Sequence, residues 1–190
     1  TPQDRRIGLV AEHGGYREVK VGTAQGKPTD FDPVLGLDTG ELFGFIGETQ
    51  GEAWGKLVTL LGGDPSSAQA QFKARLAGEI DKRGTVDVLR RGVVEHGVTI
   101  QLAYFKPAHQ LTPELAERYD RNRLTVTRQL PYEATSTKTL DLCLFVNGLP
   151  VATAELKNAL TGQGTEHAKT QYRHDRDAKN VTLGRRAVVH

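Results

Sequence analysis

Two apolar runs joined by Asn147-Gly148 constrain this chain more than any other feature. Residues 140–158 read LDLCLFVNGLPVATAELKN. Asn-Gly marks a tight hairpin because both central positions of such a turn need positive φ, which these two residues tolerate. Thr139 to Lys157 is therefore expected to be a β-hairpin. Leu149 to Leu156 is apolar apart from Thr153 and Glu155, so it reads as a buried strand.

Other elements are expected along the rest of the chain. Ile7, Val10 and Ala11 lie on one face of an expected helix that Gly14-Gly15 would stop. A loop is expected from about Lys20 to Asp38. Glu41 to Leu61 reads as helix, divided near Gly51 and ended by Gly62-Gly63. Asp64-Pro65-Ser66 is a capped start, and its helix would run to Arg83, with Gly84 ending it. Val86 to Arg91 reads as a second short helix. Val98, Ile100, Leu102 and Tyr104 alternate as a strand does. Thr112-Pro113-Glu114 opens a helix to about Asn122. Leu124 to Gln129 alternates again, giving a strand with one polar face that Pro131 ends. Thr165 to Arg176 reads as a polar helix, and Ala187 to His190 as the start of a last strand. The order is helical first and mixed α/β later. It predicts an α/β (α+β) fold, divided into a helical part at 1–95 and a strand-bearing part at 96–190.

Composition sets the outer limits. With 190 residues, 37% hydrophobic and 25% charged, the chain is sized for one domain with a packed core. No run approaches the ~18 apolar residues of a membrane helix, so no membrane is expected among its partners. The single cysteine, Cys143, excludes an internal disulfide framework and a cysteine-built zinc site; inside an apolar run it reads as core. There is no methionine, and the last residues are Val188-Val189-His190. The expectation is a piece trimmed from a longer protein, with no secretion leader. The net charge of +2 divides unevenly. Residues 1–95 hold 12 Lys and Arg against 14 Asp and Glu, and residues 96–190 hold 13 against 9. The basic second half admits a phosphate-backbone partner, although a solvated surface with scattered arginines fits equally.

Most chemical motifs fail. Gly22 to Lys27 lacks the spacing of a phosphate-binding loop, and Pro28 stands where a magnesium-holding Ser or Thr belongs. His167 and His174 are seven apart, where a helical metal pair is usually four apart. The hairpin remains. It begins near Asp141 and ends in Glu155-Leu156-Lys157. An acid two residues before a lysine occurs three times, against about one expected by chance, but only Glu155 and Lys157 close an apolar strand. Positions i and i+2 of a strand share a face. With regular two-residue pairing, Asp141 sits opposite Ala154; with one extra residue, it sits opposite Glu155. Pro150 lacks an amide hydrogen, which favours an irregular second strand. A bulge or odd-length loop between Asn147 and Val151 is therefore expected. The two carboxylates would then offer hard oxygen ligands to one magnesium ion, and Lys157 would stabilise charge developing on a phosphate. A salt-bridged strand end is the alternative account of the same residues.

Asp141 on one strand and Glu155-Leu156-Lys157 on the next match the PD-(D/E)XK nuclease signature. The stretches KRGTVDVLRRGV, QLAYFKPAH, NRLTVTRQL, LDLCLFVNGLPVATAELKN and QYRHDRD resemble the N-terminal domain of the restriction (R) subunit of type I restriction–modification enzymes, from about Leu9 to the end. The resemblance implies a restriction-endonuclease-like core, a mixed sheet flanked by helices, with a helical N-terminal elaboration. Residues 1–190 would be an endonuclease domain fragment, truncated at its C-terminal end. It implies magnesium-dependent cleavage of double-stranded DNA, driven by an ATP-dependent translocase further along the full-length subunit. By family pattern Asp141 and Glu155 bind metal, the Leu156 carbonyl adds a ligand, and Lys157 completes the catalytic set. Gln171 fits a family motif on the following helix, while Asp175 stands where that motif has Tyr, with Tyr172 adjacent to Gln171. Gln171, Arg173 and Arg128 would touch DNA, with Arg121, Arg123 and Arg176 near the same path. Implied partners are double-stranded DNA and the methyltransferase and specificity subunits, in a bacterial or archaeal cytoplasm. Two other functions fit: a non-catalytic DNA-binding or assembly module, and a stand-alone repair nuclease of the same superfamily.

Overall fold

The structure is a computed structural model that describes residues 14–19, 30–108, 113–135, 137–156, 169–170 and 179–190. Short strands β1 (Arg17–Val19), β2 (Phe31–Asp32) and β3 (Leu37–Asp38) come first. Helices α1 (Thr39–Leu60), α2 (Pro65–Arg83) and α3 (Thr85–Arg91) follow, then the hairpin of β4 (Val93–Glu95) and β5 (Val98–Ile100). After α4 (Pro113–Asp120) come β6 (Leu124–Pro131), β7 (Thr139–Val146) and β8 (Leu149–Ala154), and then a π-helical turn, Thr182–Arg186. The main sheet has the order β1-β6-β7-β8. β1 runs parallel to β6, and the later pairs are antiparallel. Ala152 and Val189 add a parallel bridge on the free side of β8, which covers an otherwise open edge. This is the mixed sheet with flanking helices expected from the sequence.

Local chemistry sets the helix boundaries. Asp38 caps α1 by accepting from the Glu41 N–H at 3.1 Å, and Asp64 caps α2 by accepting from Ser67 at 2.7 Å. Gly62, Gly63 and Gly84 take the positive φ angles on which α1 and α2 end. The expected division of α1 is present one residue early. Gln50 leaves helical geometry at φ −145°, and its carboxamide makes two hydrogen bonds to the Gln101 backbone, at 2.7 and 2.9 Å. This clamp also shortens the strand expected from Val98 to Tyr104. Both backbone groups of Gln101 are taken by a side chain, so the ladder ends at Ile100.

The hairpin has the turn its sequence demands, with Asn147 at φ 50° and Gly148 at φ 81°. Both faces are covered. Cys143 and Phe145 pack with Leu130, Tyr132 and Leu183, while Leu142 and Leu144 pack with Val126, Tyr16 and Leu156. Leu149 near the tip joins the helical core of Leu42, Phe45, Phe72 and Leu76. Thr125 and Thr127, on the polar face expected of this strand, are buried as well. The first expected helix and most of the Lys20–Asp38 loop lie outside the described residues, as do most of the expected Thr165–Arg176 helix, Gly22 to Lys27, His167 and His174. Lys169 and Thr170 are helical.

Candidate active site

The geometry begins with the register of β7 and β8. Val146 pairs with Leu149 and Phe145 with Pro150, as a two-residue turn requires. Beyond them Leu144 pairs with Ala152, Cys143 with Thr153 and Leu142 with Ala154. Val151 is thus the extra residue of a β-bulge, within the expected interval. Its carbonyl accepts from Val188 at 3.0 Å and Val189 at 3.3 Å, in the last extended segment. The bulge matters because a one-residue shift exchanges which positions face each other. The shifted ladder ends at Leu142 and Ala154, one position short of Asp141 and Glu155.

Just beyond the ladder, a hydrogen bond joins the chain after β8 to Asp141. The Leu156 N–H donates to Asp141 Oδ2 at 2.7 Å. Gln129 Nε2 donates to Asp141 Oδ1 at 2.9 Å, and Thr139 Oγ1 donates to Gln129 Oε1 at 2.7 Å. Each carboxylate oxygen of Asp141 therefore carries one described donor. An ionised carboxylate has about four acceptor sites, so others remain. Asp141, Glu155 and Leu156 are all partly exposed. Among the described residues, no three or more His, Cys, Asp or Glu side chains gather to hold a metal. A pair of carboxylates nonetheless suits magnesium, which takes oxygen ligands, often only one or two carboxylates, and keeps several waters. The donor set, with Asp141 held facing the Glu155-Leu156 backbone, fits that ion.

The other candidates divide. Lys157, Gln171, Tyr172, Arg173, Asp175 and Arg176 lie outside the described residues. Arg128 lies on β6, its guanidinium 3.9 Å from Glu18. Arg123 instead bonds Glu41 at 3.2 Å and Glu48 at 2.5 Å, across α1. Burial alone would lower its pKa, but the hydrogen bonds and charges of Glu48 and Glu41 raise it overall. Gly44 leaves room for this clamp, since a Cβ there would lie 2.3 Å from Arg123 Nη1. Arg121 is exposed and reaches the Glu48 carbonyl at 3.3 Å. Cys143 is fully buried, and burial pushes its thiol far above the ordinary range, so it is an inert core residue.

The sequence does not single out Gln129 and Thr139. Neither belongs to a spaced motif; the pairing of β6 with β7 brings Gln129 to Asp141, while Thr139 lies two residues before Asp141 on the same strand and shares its face. A separate cavity of about 370 Å³ lies around the other end of β7, lined by Ala103, Tyr104, Phe105, Tyr119, Asn122 and Val146 among others. Val146 is five residues from Asp141, roughly 17 Å along a strand, so this apolar hollow is remote from the carboxylates.

No curated protein and no solved structure matches the chain. Residues 68–187 match the family model described as "Type I restriction enzyme R protein N terminus". The match starts later than the resemblance from about Leu9, and it contains Asp141 and the Glu155-Leu156-Lys157 run. It spans more than half of the chain, from α2 to the end of the π-helical turn, and on that extent the chain belongs to the family of type I restriction enzyme R protein N termini.

Proposed function

We propose that this chain is the endonuclease domain of a type I restriction enzyme R subunit, with its nuclease core at 96–190 and a largely helical elaboration at 1–95 that also lends β1 to the main sheet. The observation that carries this reading is the bulged hairpin, beyond whose last pair, Leu142 and Ala154, the Asp141 carboxylate bonds the Leu156 N–H, in a chain of this family. Asp141, Glu155 and the Leu156 carbonyl are the residues that would hold magnesium. Bound there, the ion would polarise a DNA phosphate oxygen and help deprotonate a water. Lys157 stabilises charge developing on that phosphate. Gln171, Arg173 and Arg128 contact the DNA backbone and set its register, a role that carries no sequence information. The substrate is double-stranded DNA delivered by an ATP-driven motor outside these residues. The partners are the methyltransferase and specificity subunits, in the cytoplasm of a bacterium or archaeon. Among the described residues no helix is long and apolar enough to cross a membrane.

The test is made in the assembled restriction complex. Asp141→Ala, Glu155→Ala and Lys157→Ala should each reduce DNA cleavage by at least about a thousandfold, a loss on the scale of a removed electrostatic stabiliser. ATP-driven translocation, followed by displacement of a triplex-forming oligonucleotide, should continue at the wild-type rate. Cleavage retained by any one of the three removes that residue from the site.

A further inference from the structure

Among the described residues near Asp141, Gln129 has the most unusual backbone. It sits within β6 at φ 48°, a left-handed conformation that residues other than Gly, Asn and Asp rarely adopt. The strand continues on both sides of it, with Arg128 paired to Leu142 and Leu130 to Leu140. Its side chain is exposed, so core packing does not explain the distortion. Its contacts do explain what the distortion achieves. The carboxamide bridges Thr139 Oγ1 and Asp141 Oδ1, at 2.7 and 2.9 Å.

This bridge has a direction. Oε1 takes the Thr139 hydroxyl proton, which leaves only the NH2 group to face the carboxylate; the opposite amide orientation would set two acceptors against each other. Gln129, from β6, and the Leu156 N–H, from the segment that follows β8, therefore hold the two oxygens of Asp141. A carboxylate fixed at both oxygens keeps its remaining acceptor sites in one orientation. Donors placed in this way orient metal ligands and change metal affinity. Backbone strain beside such a group is consistent with a conformation kept for its function.

We infer that Gln129 is a positioning residue, which holds the Asp141 carboxylate in the orientation that receives a divalent cation. The inference rests on the reading of Asp141 as a metal ligand. Two variants separate positioning from folding. Gln129→Asn retains an amide and tolerates positive φ, but is one methylene too short to span Thr139 and Asp141. Gln129→Gly relieves the backbone and removes the bridge.

Binding of Mn2+ to the 190-residue chain, followed by electron paramagnetic resonance of the free ion, provides the readout, with thermal unfolding measured in parallel. Wild type should bind one ion, and Asp141→Asn should lose binding. Both Gln129 variants should bind about tenfold more weakly, with Gln129→Gly no less thermally stable than wild type. If Asp141→Asn loses binding while Gln129→Asn and Gln129→Gly bind as wild type does, the positioning role is overturned and the metal site stands. If wild type binds no Mn2+, or Asp141→Asn binds as well as wild type, the metal-site reading fails and the inference fails with it.

Discussion

At the scale of single residues, polar groups inside this fold are mostly matched, and the exceptions are informative. Asn147 is fully buried, yet its amide donates to the Leu102 carbonyl and to Asn122 Oδ1, while its own oxygen accepts from the Arg123 N–H. Such a network makes the residue specific to its site, since every partner would be left short by its loss. Thr125 is different. Its hydroxyl is buried without a hydrogen-bond partner among the described residues. An unpaired buried hydroxyl costs about 1–3 kcal/mol. Thr125→Val should therefore raise the unfolding free energy by about 1 kcal/mol, as a higher urea midpoint at unchanged slope. A lower midpoint would mean that the hydroxyl has a partner after all.

At the scale of elements, the hairpin from Thr139 to Ala154 organises the site, and its tip is fixed by contact as well as by turn chemistry. Gly148 is at φ 81°, and a Cβ there would lie 2.2 Å from the Asp38 carbonyl oxygen and 2.8 Å from the Leu42 nitrogen. The Asp38 N–H also donates to the Gly148 carbonyl at 2.8 Å. The turn thus lies directly on the start of α1. Gly148→Ala combines left-handed strain with a backbone clash and should cost more than about 2 kcal/mol. A much smaller loss in thermal or urea unfolding would show that the tip can lift from α1. The hairpin was also the most legible element. Asn147-Gly148 announces the turn, and Pro150 announces the irregular strand. That Val151 is the bulged residue follows only from the pairing, in which the register changes between Leu144 and Phe145.

At the scale of the whole molecule, Arg186 ties the end of the chain to its helical part. It is 2% exposed, donates to the Leu35 carbonyl at 2.8 Å and bonds Asp81 at 2.5 Å, and its own carbonyl accepts from Thr85. Burial would raise the pKa of Asp81, but the hydrogen bond from Arg186 and the charges of Arg186 and Arg185 outweigh it, and the carboxyl sits below its ordinary value. The folded state thus binds this proton less readily than the unfolded chain does. The stabilisation is whole above the ordinary carboxylate range and is lost as pH falls through it toward the lowered folded value. Asp81→Asn should cost about 1 kcal/mol at neutral pH, kept small by the partial exposure of Asp81. The gap from wild type should close in strong acid. Urea midpoints of both proteins between neutrality and pH 3 check this, and a gap independent of pH would contradict it. By itself the sequence determined the turn at Asn147-Gly148, the caps and glycine stops of the helices, and the acids at the two ends of the hairpin. These depend on the conformational limits of one or a few adjacent residues, which the chain carries wherever it folds. Only the tertiary structure decided that Gln129 meets Asp141 and Thr139, that Arg123 lies across α1, that Thr125 is buried and that Arg186 finds Asp81. Each of those joins positions distant along the chain, and strand register and helix packing bring them together with no local signal to announce it.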